Sequence, residues 1–220
     1  TGGAGYIGSH VCKLLSKSGF KPVVFDNLSN GNLSSCKWGV FVDGDIRIKK
    51  QIKDAISKYK PRFIIHLAAH AYVSESMRDP NLYYDNNVIG TLNLLSEMIK
   101  GNVQGIIFSS TCAVYGSPKV LPVTEESPIE PLSPYGSTKM MMEQAIKDYA
   151  GVYNLEYTTF PIHYLLENPI RFTTHLNEVF RPISSLIEHI LIYFKVPFTL
   201  VSKYLEGLLM LGTMSAKAAK

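Results

Sequence analysis

The sequence has little of several things. Only three of its 220 residues are cysteine, Cys12, Cys36 and Cys112, an odd number at wide spacing with no CxxC pair. That argues against a disulfide framework and a thiolate zinc site, and it fits a reducing compartment, the cytoplasm. The six histidines are scattered. His66 and His70 stand four apart, but His66 falls in an apolar strand run, so no metal is expected. Surplus charge is small, +4, and the longest basic pair is Lys49-Lys50, which leaves no nucleic-acid footprint. Nor is there an apolar run of about 20 residues. The nearest, Ile183 to Val201, is broken by Glu188, His189, Lys195 and Pro197, so no membrane span is expected. The opening "TGGAGYIG" carries no basic-then-apolar leader, and no targeting segment is expected.

What is present is enough for one large domain, or for one domain plus a fragment of a second. Hydrophobic residues make up 46% of the chain, enough for a sizeable core. Ile7, Val11, Leu14 and Leu15 have helical spacing, and Gly19 ends that helix. "PVVFD" reads as a buried strand, "NLSNGN" as a turn and "GVFVDGD" as a second strand. Ile48, Ile52, Ala55, Ile56 and Tyr59 mark a helix, "RFIIHLAA" a strand, Val88 to Ile99 a long helix, and "GIIFSS" another strand. A proline-rich loop, 117–134, leads to a helix carrying Tyr135 and Lys139, and "LEYTTF" is one more strand. Such alternation predicts an α/β fold, a doubly wound parallel sheet of Rossmann type with helices on both faces.

The glycine turn points to a ligand. Gly3, Gly5 and Gly8 satisfy GxGxxG, and Gly2, Gly5 and Gly8 satisfy GxxGxxG. Such a turn brings backbone close to a pyrophosphate and aims the positive end of a helix at it. Asp26 stands 21 residues beyond Gly5, at the end of the next strand. A carboxylate there accepts bonds from ribose hydroxyls and repels a 2′-phosphate, which favours NAD over NADP.

Tyr135 and Lys139 lie one helical turn apart. A free phenol, with a pKa near ~10, is a poor base at neutral pH, and a cation beside it favours the phenolate. Such a phenolate can take a proton from a hydroxyl while hydride leaves the same carbon. Ser109, Ser110 and Thr111 end the strand "GIIFSS" at the carboxyl edge of the sheet, where ligands bind in this architecture. Thr111 could bridge a substrate hydroxyl and Tyr135.

"TGGAGYIGSH", "DNLSNG", "GDIR", "HLAAHAYVSES", "YYDNNVIGTLNLL", "FSSTCAVYG" and "SPYGSTKMMMEQ" follow one another in this order. Together they resemble the UDP-glucose 4-epimerases of the extended short-chain dehydrogenase/reductase family, over residues 1 to about 160. The resemblance implies tightly bound NAD, a UDP-sugar substrate and inversion at C4 of the sugar by transient oxidation. It makes Tyr135 the base, Lys139 the ligand of the nicotinamide ribose and Thr111 the proton relay. It places Gly2, Gly5, Tyr6, Ile7 and Gly8 at the pyrophosphate turn, and Asp26, Asn27, Leu28, Ser29, Asn30 and Gly31 on the adenosine side. Asp45 and Ile46 match the adenine contact, Leu67, Ala68, Ala69 and Ala71 the cofactor lining, and Asn86 an asparagine contact. It also implies a homodimer paired through the helices around Val88–Ile99 and Tyr135–Tyr149. The 4,6-dehydratases of the superfamily carry an Asp-Glu pair where this chain has Cys112 and Ala113, so epimerisation is favoured.

Two departures set further expectations. The resemblance lacks the short apolar strand that precedes the glycine turn in relatives. Its absence would leave "PVVF" and "FIIHL" about two strand spacings apart, roughly 9.6 Å, with the turn unanchored. Beyond Phe160 relatives continue Arg-Tyr-Phe-Asn, whereas this chain has Pro161, Ile162, His163 and Tyr164. Residues 1–160 are therefore read as the NAD-binding domain, truncated at its start. Residues 161–220 are read as an unrecognised apolar tail, with the substrate domain absent or replaced. The expectation is an impaired 4-epimerase. The alternatives are a non-catalytic NAD-binding remnant or interaction module, and an epimerase for another nucleotide sugar.

Overall fold

Strands and helices alternate from Tyr6 onward in the computed structural model, which describes residues 1–118, 123–124 and 126–161. Helix α1 (Tyr6–Lys17) starts directly from the glycine turn with Gly5 as its N-cap and buries Gly8, Val11 and Cys12. Strand β1 (Val23–Asp26) and strand β2 (Val40–Asp43) pair in parallel, Asp26 opposite Asp43. Helix α2 (Lys49–Tyr59) buries Ile52 and Ile56 and ends at Lys60 in the left-handed region, φ 46°. Strand β3 (Phe63–His66) follows, then the single turns α3 (Val73–Ser76) and α4 (Pro80–Tyr83).

Helix α5 (Gly90–Lys100) begins later than its apolar spacing predicts, because Tyr84–Ile89 forms a π-helical segment. The wider turn buries both Asn86 and Asn87. Strand β4 (Gly105–Ser110), buried at every position, leads to a 3₁₀ turn at Cys112–Tyr115. Helix α6 (Pro134–Tyr153) is capped by Ser133, whose hydroxyl accepts from Gly136 N at 3.1 Å, and has Pro134 at its first turn. It stops at Asn154, φ 54°, and strand β5 (Glu156–Pro161) closes the described chain.

Strands β3, β4 and β5 form a parallel sheet in that order, with β4 central. Leu94, Leu95 and Met98 of α5 and Met142 and Ile146 of α6 pack with Ile106 and Phe108 of β4 in the main core. Between β1 and β3 lies an apolar cavity of about 340 Å³, lined by Val23, Phe25, Ile64 and Ile65 among others. Parallel pairing, helical crossovers and this spacing agree with the expected doubly wound architecture.

One expectation fails. The glycine turn is anchored. Gly2 N donates to Phe25 O at 3.0 Å, Thr1 N to Ile65 O at 2.8 Å and Leu67 N to Thr1 O at 3.1 Å. Residues 1 and 2 thus tie the carboxyl ends of β1 and β3 together, which satisfies backbone groups at that edge. The expectations for residues 162–220 lie outside the described residues.

Among the described residues no helix is long and apolar enough to cross a membrane. None of them form a group of three or more metal-binding side chains.

Candidate functional site

The loops at the carboxyl ends of β1 and β3 enclose a cleft of about 110 Å³. Gly2, Gly5, Asp26, Asn27, Ser29, Asn30, Gly31, Ile46, Leu67, Ala68, Ala69 and Asn86, all named on the sequence, line it. Phe25, Gly44 and His70 line it too and were not singled out. Tyr6, Ile7, Gly8, Leu28, Asp45 and Ala71 flank the cleft in sequence without lining it. The larger apolar cavity contains none of Asp26, Thr111, Tyr135 and Lys139, so it is not the candidate site.

The cleft exists because side chains are missing where backbone must come close. Gly2 has φ +73°, and a Cβ there would lie 2.5 Å from Ala68 N. A Cβ at Gly31 would lie 2.7 Å from Ala4 Cβ and 3.0 Å from Asp26 Oδ1. The start of α1 has no side-chain cap and no acidic residue in its first turn. Its free N–H groups and dipole are therefore left for an anion. Tyr6, the first helical residue, is 74% exposed there.

Asp26 is buried, and both its oxygens are engaged. Oδ2 accepts from Ala4 N at 3.0 Å, and Oδ1 accepts from Leu28 N at 2.9 Å. The carboxylate therefore does more than the sequence reading assigned to it. It also ties the glycine turn to the loop after β1, and Leu28 takes a left-handed φ of 59°. Asp45 sits outside the cleft lining, held by Arg47 Nη2 at 2.6 Å and Asn27 Nδ2 at 3.0 Å. The Arg47 guanidinium bonds hold its carboxyl down at about 2. Among the described residues no lysine or arginine lines the cleft.

The second group of residues stands on α6 and at the end of β4. Tyr135 and Lys139 share the buried face of α6. Gly136 lets the helix start press on the 3₁₀ turn, since a Cβ there would lie 2.5 Å from Ala113 O. This brings Tyr135 beside the segment that Thr111 opens. Thr111 caps that turn, its hydroxyl accepting from Ala113 N at 3.2 Å. The Tyr135 ring also meets Tyr83 edge to face, centroids 6.3 Å apart. Tyr83 is fixed by donating to Tyr72 O at 2.7 Å and by a 2.7 Å bond to Glu75.

Lys139 extends to β4, where Nζ donates to Ser109 O at 2.9 Å and lies 4.8 Å from the Phe108 ring centroid. Burial pushes this ammonium down to about 7, against the pull of the Glu143 carboxylate. Nearby His66 is fully buried, bonded through Nε2 to Thr91 Oγ1 at 2.9 Å and through Nδ1 to Thr1 Oγ1 at 2.7 Å. Burial holds it neutral, well below its ordinary range.

Sequence reading missed three supports of this site. Asn87 uses its whole amide. It accepts from His70 N at 2.9 Å and Asn86 Nδ2 at 3.0 Å, and donates to His70 O at 3.0 Å and Thr138 Oγ1 at 3.1 Å. Thr138 in turn donates to Tyr135 O at 2.8 Å. Glu143 accepts from the Ser110 hydroxyl. Only Glu143 had a sequence signal, four residues past Lys139 on the same helix face.

A sequence model of the NAD dependent epimerase/dehydratase family matches residues 1–183. The chain is 51% identical over 152 residues to a UDP-glucose 4-epimerase of Rhizobium meliloti (strain 1021), covering 69% of this chain and 46% of that protein. Its fold matches the crystal structure of UDP-glucose 4-epimerase from Brucella ovis in complex with NAD, with TM-score 0.71 and 49% identity, over 72% of this chain and 49% of that one. It also matches the Thermotoga maritima UDP-glucose 4-epimerase with UDP-glucose, with TM-score 0.71 and 38% identity, over 73% of this chain and 53% of that one. The chain spans about half the length of the relatives it matches.

Proposed function

The chain belongs to the NAD dependent epimerase/dehydratase family, and on that premise we propose that it binds NAD and carries the acid–base residues of a UDP-hexose 4-epimerase, acting on UDP-glucose and UDP-galactose. One observation carries the reading. The glycine-lined cleft and the Thr111, Tyr135 and Lys139 group both stand at the carboxyl edge of the parallel strands.

The residues present fit the cofactor. Gly2 and Gly31 allow the close approaches to Ala68 and Ala4 that shape the cradle and that a Cβ would block. The uncapped start of α1 suits a pyrophosphate. Asp26 at the cleft, with no lysine or arginine among the described residues lining it, suits a ribose with a free 2′-hydroxyl. The chemistry NAD supplies when bound is reversible hydride acceptance at C4 of the sugar. Tyr135 Oη takes the proton of the 4-hydroxyl and later returns it. Thr111 Oγ1 passes that proton between sugar and phenol. Lys139 Nζ, held on Ser109 O, presents its positive charge to the ribose and to the phenolate. Cys112 and Ala113 offer no acid or base beyond C4. Homodimerisation through α5 and α6 belongs to the same reading, with Met141, Val152 and Tyr153 exposed on α6.

The test separates binding from turnover. Titration calorimetry with NAD and NADP should give binding of NAD and at least tenfold weaker binding of NADP. Conversion of UDP-galactose to UDP-glucose should be detectable in the NAD-loaded chain and fall at least 100-fold in Tyr135→Phe. Absence of NAD binding would overturn the cofactor reading. NAD binding with no conversion would leave the NAD-binding remnant as the function.

A further inference from the structure

Helix α6 carries three chemically active side chains in register, Tyr135, Lys139 and Glu143, each one turn beyond the last. Glu143 is only half-buried, yet its carboxylate turns inward and accepts from the hydroxyl of Ser110, which is 3% exposed at the end of β4. The neighbouring residue of that strand, Ser109, supplies the carbonyl that holds Lys139 Nζ at 2.9 Å. Two successive serines of β4 thus grip two successive turns of α6. A lysine 97% buried between a carbonyl and an aromatic face needs a compensating negative charge to stay ionised.

The charges around it are few. On α6 the neighbouring turns bring Tyr135 and Glu143. On β4 the facing groups are the Ser109 carbonyl and the Phe108 ring, both uncharged. On β3 the nearest titratable group is His66, which burial keeps neutral. Lys147, one turn beyond Glu143, is exposed. Glu143 is the one anion among these groups, and its pull on Lys139 is the influence that favours the ammonium.

We propose that Glu143 is a positioning residue that keeps the buried Lys139 ammonium charged and seated on β4, so that the charge Tyr135 and the cofactor ribose need is present at neutral pH. Ser110 fixes where that carboxylate sits. The functional consequence rests on the NAD-binding reading above, whereas the electrostatic link between the two side chains does not.

The experiment follows Lys139 directly. The 220-residue chain is labelled with ¹³C at the lysine ε carbons, and the Lys139 resonance is assigned by its loss in Lys139→Met. In Glu143→Gln the Lys139 titration should move down by about one pH unit or more, the size of effect a close opposite charge has. Glu143→Asp, which keeps the charge, should restore most of it and serves as the measurement if Glu143→Gln fails to fold. Ser110→Ala should broaden the response without the full loss. A Lys139 titration unchanged within about 0.3 unit in Glu143→Gln, or one that Glu143→Asp moves as far as Glu143→Gln does, would overturn the proposal. NAD affinity measured from pH 6 to 9 should then fall away at lower pH in Glu143→Gln by the same shift. If no form binds NAD, the cofactor reading fails, and the lysine titration still decides the role of Glu143.

Discussion

Lys139 Nζ donates to the carbonyl of Ser109 at 2.9 Å across the face of the central strand, in a buried position. Burial pushes the lysine from its ordinary 10.5 to about 7. The folded chain therefore binds fewer protons than the unfolded chain between those two values. Stability should rise as pH climbs from 7 toward 10.5, and the full cost of the buried charge applies below 7. Lys139→Met should stabilise the fold at pH 7 by on the order of 3 kcal/mol and remove that slope. Urea denaturation at pH 7 and pH 10 measures both effects. On the proposed cofactor role, the same substitution should weaken NAD at least tenfold, so that stability and binding move in opposite directions.

Asp26 has a structural duty beside the ribose contact proposed for it. Replacement by Ala leaves Ala4 N and Leu28 N without their carboxylate partner. Bonds to a charged acceptor are the stronger kind, so Asp26→Ala should cost about 2–4 kcal/mol. It should also abolish detectable NAD binding. Thermal melts and calorimetry at pH 7 check the two losses. A variant that loses NAD while keeping its melting temperature would show that the carboxylate serves the ligand alone.

How much of this was legible beforehand depends on the kind of signal. Among the described residues the sequence pattern located each strand and main helix, because short apolar runs such as those of Val24-Phe25 and Ile106–Phe108 are bounded by polar turns. The glycine motif and Asp26 marked the cleft, since only glycine allows the approach that Gly2 makes to Ala68. The π-helical turn at Tyr84–Ile89 was not legible. It places Asn87 where it bonds His70 and Thr138 at once, and nothing local in "DNNV" announces it. The anchor of the glycine turn was missed for a similar reason. It consists of backbone bonds from residues 1 and 2 to strands far along the chain, Phe25 and Ile65. Which oxygen Asp26 spends on Ala4 is likewise a matter of packing and not of spacing.

Two glycine substitutions should act in opposite directions. Gly2→Ala forces a Cβ against Ala68 N at 2.5 Å from a residue with φ +73°. It should destabilise the chain by more than about 2 kcal/mol and close the cleft. Gly151, in the last turns of α6, has nothing within 4 Å of an added Cβ. Gly151→Ala should stabilise by about 0.5–1 kcal/mol through helix propensity, with NAD affinity unchanged. Paired denaturation curves for the two variants make the comparison within one experiment.

The acid limb of stability should separate into two windows. His66 is fully buried between Thr1 and Thr91 and is held neutral in the fold. Below about 6.5 the unfolded chain takes up a proton that the folded chain refuses, so stability should fall by up to about 1.4 kcal/mol per pH unit. Asp45 acts lower down. Its folded value of about 2 against 3.8 means that its contribution is complete above 3.8 and is lost as pH falls toward 2. Glu143 works the other way between these windows, because burial raises its folded value above 4.5 and protonation there favours the fold. A urea series from pH 7 to 3 should therefore show a slope below 6.5, a shallower stretch just above 4.5, and a second slope below 4. His66→Gln, which keeps a polar atom toward Thr91, should flatten the first slope and leave the second. A first slope that survives in His66→Gln would assign it to another group, and the neutral, buried histidine would not be the acid-sensitive part of the fold.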